Sequence, residues 1–295
     1  QGPLEPNLCP VPADIRPWIC SIDPLCVEGV NTDRCARFAT LRAAQRKVAL
    51  EDAEGVAFAE TGIYTYGYIN YEDHAEYKTS WAPTERRHYF ENADTYYYIG
   101  ESMGKAMYSL LRPTRRKSPL KVVVLTGQSN AQGFGAEEHL NALIQGTPGT
   151  PSLYDLDTTS ERLQHLQDSG SQWNVRDDVY ITYNSEANGR KTGVLDTEVR
   201  GQLSPIGFGK TSTRFGPEVG LGWALGDLLL DNDENGGGGL FIIKVAWGGV
   251  SLDRDFRPPS SGAHENPWMR APTAGFGWAY LSVVDHVRTT LNDIA

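Results

Sequence analysis

After Cys35 the sequence contains no cysteine. The four it has, Cys9, Cys20, Cys26 and Cys35, all lie in one proline-rich opening stretch. This confines any disulfide framework to that stretch and excludes cysteine ligands from the rest of the chain. The spacing is not CxxC and no histidine lies inside the cluster, so a zinc site is not expected. An even count in an aperiodic segment reads as two disulfides in a secreted protein. Three pairings are open, and the plain alternative is four reduced thiols in a cytosolic loop. Long apolar runs are missing too. No run of about 18 apolar residues occurs, so no bilayer-spanning helix is expected. Positive charge is scarce, with 27 Lys and Arg against 37 Asp and Glu and a net charge of −10. That balance disfavours nucleic acid and anionic membranes as partners. The chain opens at Gln1 with no signal-peptide pattern and reads as processed or excerpted.

What is present suffices for a large core. The chain has 295 residues, 40% of them hydrophobic, enough for one large α/β domain or two smaller ones. Residues 1–36 lack helical or strand periodicity. Residues 37–50 read as a helix with Leu41, Ala44, Val48 and Ala49 near one face. Residues 55–61 read as a short buried strand. Residues 93–111 read as a helix with Ile99, Met103, Met107 and Leu110 at helical spacing. Gly100 and Gly104 form a neighbouring stripe that permits close packing. Residues 112–119 form a basic, proline-bounded linker. An α/β pattern follows: strands at 121–126, 179–183 and 240–247, and helices at 215–230 and 277–294. Pro217 and Glu218 suit the first turn of the helix at 215–230, where a carboxylate meets the positive end. The expected fold is α/β with a parallel sheet, whose ligands sit beyond the carboxyl ends of the strands. The acidic loop 231–239 mimics the first half of a calcium loop, but Ile242 occupies the position of the bidentate Glu, so no metal is expected.

Ser129 in LTGQSNAQGFG (125–135) falls at such a carboxyl end. A plain strand-to-helix turn would also use these residues. The chemical reading makes Ser129 a nucleophile at the start of the next helix. A serine hydroxyl needs a base to take its proton, and the attacked carbonyl needs donors for its oxyanion. The Ser129 N–H is one such donor. The glycine pair in VAWGGVSL (245–252) offers the second, with Gly249 the chosen position. Among the histidines, His286 reads as a surface or packing residue beside Asp285. His139 and His165 lie in polar segments that read as exposed, and nothing fixes His264 in its Pro/Ser/Gly loop; His74 is the sixth histidine. His88 follows Glu85 by three residues, and that carboxylate could hold the imidazole in its working tautomer. By spacing alone the two are an ordinary surface pair.

LTGQSNAQGFG, FGPEVGLG (215–222) and IIKVAWGGVSLDRDFRPPSSG (242–262) resemble, in order, the sialate O-acetylesterase-like carbohydrate esterases of the SGNH-hydrolase superfamily. The resemblance runs from about residue 119 to 295. It implies a flavodoxin-like three-layer α/β/α sandwich and removal of acetyl or related acyl groups from carbohydrates, with no metal and no cofactor. It assigns Ser129 as nucleophile and the N–H groups of Ser129 and Gly249 to the oxyanion hole. His88 becomes the base, oriented by Glu85. Gln128, Asn130 and Trp247 are the candidate substrate-binding residues.

Two departures stand out. The family's Q-G-E-S/N-D-like block, whose side chain completes the oxyanion hole, does not occur in the sequence. The family's closing histidine element, usually near the C-terminus, has its likeness before Ser129, in HYFENADTYYYIGESMGKAMYSLL (88–111). The chain thus divides into a Cys-rich segment (1–36), a part like the family's C-terminal section (37–118) and a part like its N-terminal section with the nucleophile (119–295). Either the domain is circularly permuted, or it is cut from a tandem array in which His88 of one copy serves Ser129 of another. The expected function is a secreted carbohydrate O-acyl esterase, with an acylated carbohydrate as substrate and identical copies as partners. The alternative is a non-catalytic structural or carbohydrate-binding subunit of an extracellular assembly.

Overall fold

Val122–Leu125 and Leu240–Ile243 are two apolar runs, and they pair with each other as parallel strands. The computed structural model describes residues 32–52, 56–59, 61, 86–111, 120–185, 197–230, 239–262 and 277–294. Within these, the strands are β1 (Lys121–Gly127), β2 (Gly135–Ala136), β3 (Arg176–Ser185), β4 (Thr197–Leu203), β5 (Arg214–Phe215) and β6 (Leu240–Ala246). The helices are α1 (Thr32–Glu51), α2 (Ala93–Leu111), α3 (Ser129–Gln132), α4 (Glu137–Ile144), α5 (Leu156–Leu163), α6 (Glu218–Leu230) and α7 (Trp278–Ile294). A short 3-10 helix, Arg86–Glu91, precedes α2.

The main sheet has the order β1-β6-β3-β4. β6 runs parallel to both β1 and β3, while β4 is antiparallel to β3. The fold is therefore mixed α/β with a mostly parallel sheet. β6 is its central apolar strand, as expected of a strand covered on both faces. Leu240 and Ile242 join the cluster that includes Tyr96, Leu221 and Leu225, residues of α2 and α6. Ile243, Val245 and Trp247 join a second cluster with Ala279, against which Trp278, Val283 and Val287 of α7 pack. A two-stranded ladder of β2 and β5 links the segment after Ser129 to the one before α6.

The tightest helix contact is between α2 and α6. A Cβ added at Gly100 would overlap the Pro217 carbonyl, and one at Gly220 would overlap the Tyr97 carbonyl. The glycine stripe on α2 therefore lets two backbones meet, as its spacing predicts.

Three sequence expectations differ from the structure. α1 begins at Thr32, inside the stretch read as aperiodic. Its expected apolar face finds no cover among the described residues: Ala44 is exposed and Val48 is 51% exposed. That face is narrow and alanine-rich, so it has little apolar area to bury. Residues 56–59 form no strand, having no neighbour to pair with among the described residues. No helix among the described residues is long and apolar enough to cross a membrane.

Candidate active site

β1 ends at Gly127, Gln128 is extended, and one helical turn follows from Ser129 to Gln132. The turn closes through Gln132 N–H to Gln128 O at 2.9 Å and Gly133 N–H to Ser129 O at 2.9 Å. Ser129 thus opens a helix at the carboxyl end of a parallel strand, with 9% of its surface exposed. The adjacent strand ends level with it, because Trp247 N–H donates to Gly127 O at 3.2 Å. The glycine pair then turns the chain, with Gly249 at φ 68, a conformation glycine adopts without strain. Gly248 faces the Ser129 helix: a Cβ added there would lie 3.4 Å from Gln132 Oε1. Neither the Ser129 N–H nor the Gly249 N–H donates to another described residue.

The turn after Gly249 is tied down by Asp255. Its carboxylate accepts from Ser251 N–H at 2.7 Å, from Trp278 Nε1 at 3.0 Å and from Arg254. Burial pushes the Asp255 pKa up, but the Arg254 guanidinium and these N–H donors outweigh it and hold the pKa below the usual value.

Beneath the site lies a fully buried ion pair. Lys244, in the middle of β6, reaches Glu218 Oε2 at 2.6 Å, Gln132 O at 2.9 Å and Phe208 O at 2.5 Å. All three ammonium protons thus have acceptors. Glu218 Oε1 accepts from Gly216 N–H at 2.7 Å. Burial pushes Glu218 up and Lys244 down, and each partner opposes the other's shift. Lys244 comes from IIKVAW, Glu218 from FGPE and Gln132 from the GQSN turn. One ammonium group therefore joins the three motifs.

The His88 segment, some forty residues upstream in sequence, is fastened to the segments around Ser129 by three contacts. The His88 ring stacks on Phe134 with centroids 3.7 Å apart and 3° between planes. The Tyr96 hydroxyl lies 3.2 Å from Asn130 Oδ1 and 3.4 Å from the His88 carbonyl, so one group spans both segments. Glu91 pairs with Arg214 at 2.5 Å, fastening the 3-10 turn to β5. Tyr89 and Glu91 hold φ of 51° and 60°, left-handed backbone that costs about 1–3 kcal/mol at each residue. The Ser129 hydroxyl makes no hydrogen bond to another described residue.

The remaining predicted residues divide by location. Gln128 is exposed and Asn130 half-buried beside Ser129. Trp247 is 1% exposed, edge-on to Trp278 at 5.0 Å, so its indole is a packing group behind the turn. Glu85, His74, His264, Cys9, Cys20, Cys26 and the acidic loop 231–238 lie outside the described residues, as does the Cys35 side chain. His139 is not exposed: it is 2% exposed on the buried face of α4, accepting from Ala93 N–H at 2.9 Å and donating to Pro151 O at 2.8 Å. His286 is a packing residue, 6% exposed, against Thr182 and Asn184 of β3. Sequence reading missed the roles of Lys244, Glu218, Tyr96 and Gln132. For Lys244 the signal was present: a lysine inside an apolar run requires a buried partner. No protein-family model, no curated protein and no solved structure matches this chain.

Proposed function

We propose that this chain is a carbohydrate O-acyl esterase module of the SGNH type, related to the sialate O-acetylesterase-like enzymes, with Ser129 as nucleophile. The observation that carries this reading is the convergence of three segments at the carboxyl ends of β1 and β6. They are the Ser129 turn, the glycine turn at 248–249, and the His88 segment tied in by Tyr96. The packing of α6 and α7 against opposite sides of β6 supports a three-layer α/β/α sandwich. A closing histidine that comes before its serine fits a permuted domain or a tandem array.

In the proposed reaction, His88 takes the Ser129 proton as Ser129 Oγ bonds to the ester carbonyl carbon. The carbonyl π pair moves onto oxygen, which the N–H groups of Ser129 and Gly249 stabilise. The oxyanion re-forms the carbonyl, the ester C–O bond breaks, and His88 gives its proton to the departing sugar hydroxyl. Water then hydrolyses the acyl-serine by the same route. Glu85 orients His88, and Gln128 and Asn130 contact the sugar beside Ser129. The chemistry requires no metal or cofactor. The cysteine cluster supports a secreted, disulfide-stapled protein whose partners are an acylated carbohydrate and identical copies. The acidic balance argues against nucleic acid and membranes.

A second reading, a non-catalytic structural or carbohydrate-binding subunit, is favoured by one observation: the Ser129 hydroxyl has no hydrogen-bonded base among the described residues. Release of acetate from an aryl acetate and from an acetylated polysaccharide decides between them. The esterase reading expects turnover that disappears in Ser129→Ala. Equal rates in both proteins, or none in an intact assembly, would favour the structural subunit.

A further inference from the structure

Gln132 is the most anomalous polar side chain near Ser129. It is 1% exposed, its Oε1 is fully buried, and no described residue hydrogen-bonds to its carboxamide. Its backbone, by contrast, is fully used: the N–H closes the turn and the carbonyl takes a Lys244 proton. Buried carboxamides in folded proteins are nearly always paired, so an orphan needs a reason. Its location supplies one. Gln132 lies three residues after Ser129 on the same helical turn, a spacing that puts both on one face. The carboxamide abuts Gly248, the first residue of the turn that supplies the second oxyanion donor. It therefore lies on the side of that turn that faces the Ser129 helix. Oxygen and nitrogen of a carboxamide exchange by rotation without changing shape, so the N–H₂ can face that turn.

We propose that the Gln132 carboxamide is the third oxyanion donor. It would supply from within the GQSN turn what the family takes from a Q-G-E-S/N-D-like block absent from this sequence. The inference rests on the esterase reading of Ser129. In the resting protein no described residue hydrogen-bonds to the amide. When the Ser129 Oγ–carbon bond forms and the carbonyl pair moves to oxygen, the new oxyanion accepts an N–H from Gln132 as well as from Ser129 and Gly249. The group is thus satisfied in the transition state and not before, the condition for raising kcat rather than lowering KM.

Gln132→Met keeps the length and removes the hydrogen-bonding atoms. Aryl acetate hydrolysis and thermal unfolding are measured for the full chain, for Gln132→Met and for Ser129→Ala, with binding of phenylboronic acid, a tetrahedral mimic, to the first two. Expected is a fall in kcat of about 10² to 10³ with KM little changed, weaker boronate binding, and a melting temperature that is unchanged or raised. Ser129-dependent turnover that survives in Gln132→Met would overturn the inference and leave the esterase reading standing. So would a loss of kcat that comes with a lower melting temperature and unaltered boronate affinity, the signature of a packing role. No Ser129-dependent turnover and no boronate binding in the parent protein would overturn the esterase reading and the inference together.

Discussion

Lys244 Nζ lies 2.6 Å from Glu218 Oε2 and 2.9 Å from the carbonyl of Gln132, so the central strand holds the serine-bearing turn and the start of α6 by a single side chain. Both ionised side chains are completely buried. Such a pair fixes geometry more surely than it adds stability, because desolvation consumes much of the Coulomb gain. Breaking it is another matter, since the surviving partner is left buried and uncompensated.

Lys244→Met is therefore expected to destabilise the protein by about 3–5 kcal/mol, with Glu218→Gln also destabilising. The double variant Lys244→Met, Glu218→Gln should cost less than the sum of the two single changes. Urea unfolding of all four proteins measures the coupling. Additive losses would mean that the two side chains do not act as a pair.

The close approach of α2 and α6 makes its own prediction. Gly220→Ala would set a Cβ against the Tyr97 carbonyl and 2.6 Å from Glu101 N. Backbone cannot swing aside as a side chain can, so the helices must separate. A loss of about 1–3 kcal/mol is expected for such overpacking. Gly201→Ala, where nothing lies within 4 Å of the added carbon, is the control and should change little. Equal melting temperatures for the two variants would contradict the packing.

Asp94 and His139 predict opposing pH effects. Asp94 Oδ2 accepts from Leu153 N–H at 2.6 Å, and burial raises its pKa from 3.8 to about 7 against the pull of its hydrogen bonds. The folded protein then keeps a proton that the unfolded chain releases. Its contribution is full at low pH and is lost as pH rises from 3.8 through 7, roughly 4 kcal/mol in all. Burial lowers His139 from 6.5 to about 4, opposed by its bond to Pro151. The unfolded chain then takes a proton that the folded one refuses, and roughly 3 kcal/mol is lost as pH falls from 6.5 through 4. Between those limits the two slopes nearly cancel. Asp94→Asn should expose the histidine slope, so its stability relative to wild type rises with pH. His139→Gln should expose the opposite slope. Unfolding free energies at several pH values between 4 and 8 test this; parallel profiles for all three proteins would refute it.

How much of this was legible beforehand depends on which force shapes each element. β6 was readable because a strand covered on both faces carries a nearly continuous apolar run, as in Leu240–Ala246 with Lys244 its one polar residue, and β1 was readable from Val122–Val124 although it lies at the sheet edge with Val124 41% exposed. α6 was readable from its Pro217–Glu218 start and α7 from its amphipathic period. β4 was not, since TEVRGQL alternates polar residues with a glycine and pairs only at the edge. α5 was hidden in a loop-rich stretch, although Asp155, which accepts from Thr158 N–H at 2.8 Å, is an ordinary N-cap. Ser129, Gly249 and His88 could be proposed from residue order and likeness. Gln132 could not, because an orphaned carboxamide is a property of three-dimensional packing, and GQSNAQG reads the same whether or not that amide is paired.

The last prediction concerns how the His88 segment is held to the Ser129 turn. The Tyr96 hydroxyl spans the His88 carbonyl and Asn130 Oδ1, and its residue is completely buried in α2. Tyr96→Phe keeps the ring and its edge contacts with Tyr89 and Phe215, removing only the oxygen. The stability loss should be about 1 kcal/mol, the usual net value of such bonds. If His88 is the base for Ser129, the effect on chemistry should be larger than that. A misplacement of about 1 Å can cost up to about 10² in rate, so kcat for an aryl acetate should fall by about tenfold or more with KM nearly constant. The 3-10 turn has a second tether, the pair of Glu91 with Arg214. Glu91→Gln should lower kcat in the same direction, and the double variant should fall further than either alone. Were kcat untouched in all three while His88→Ala abolished it, the tethers would be structural only. Were His88→Ala itself fully active, another residue would have to take the serine's proton.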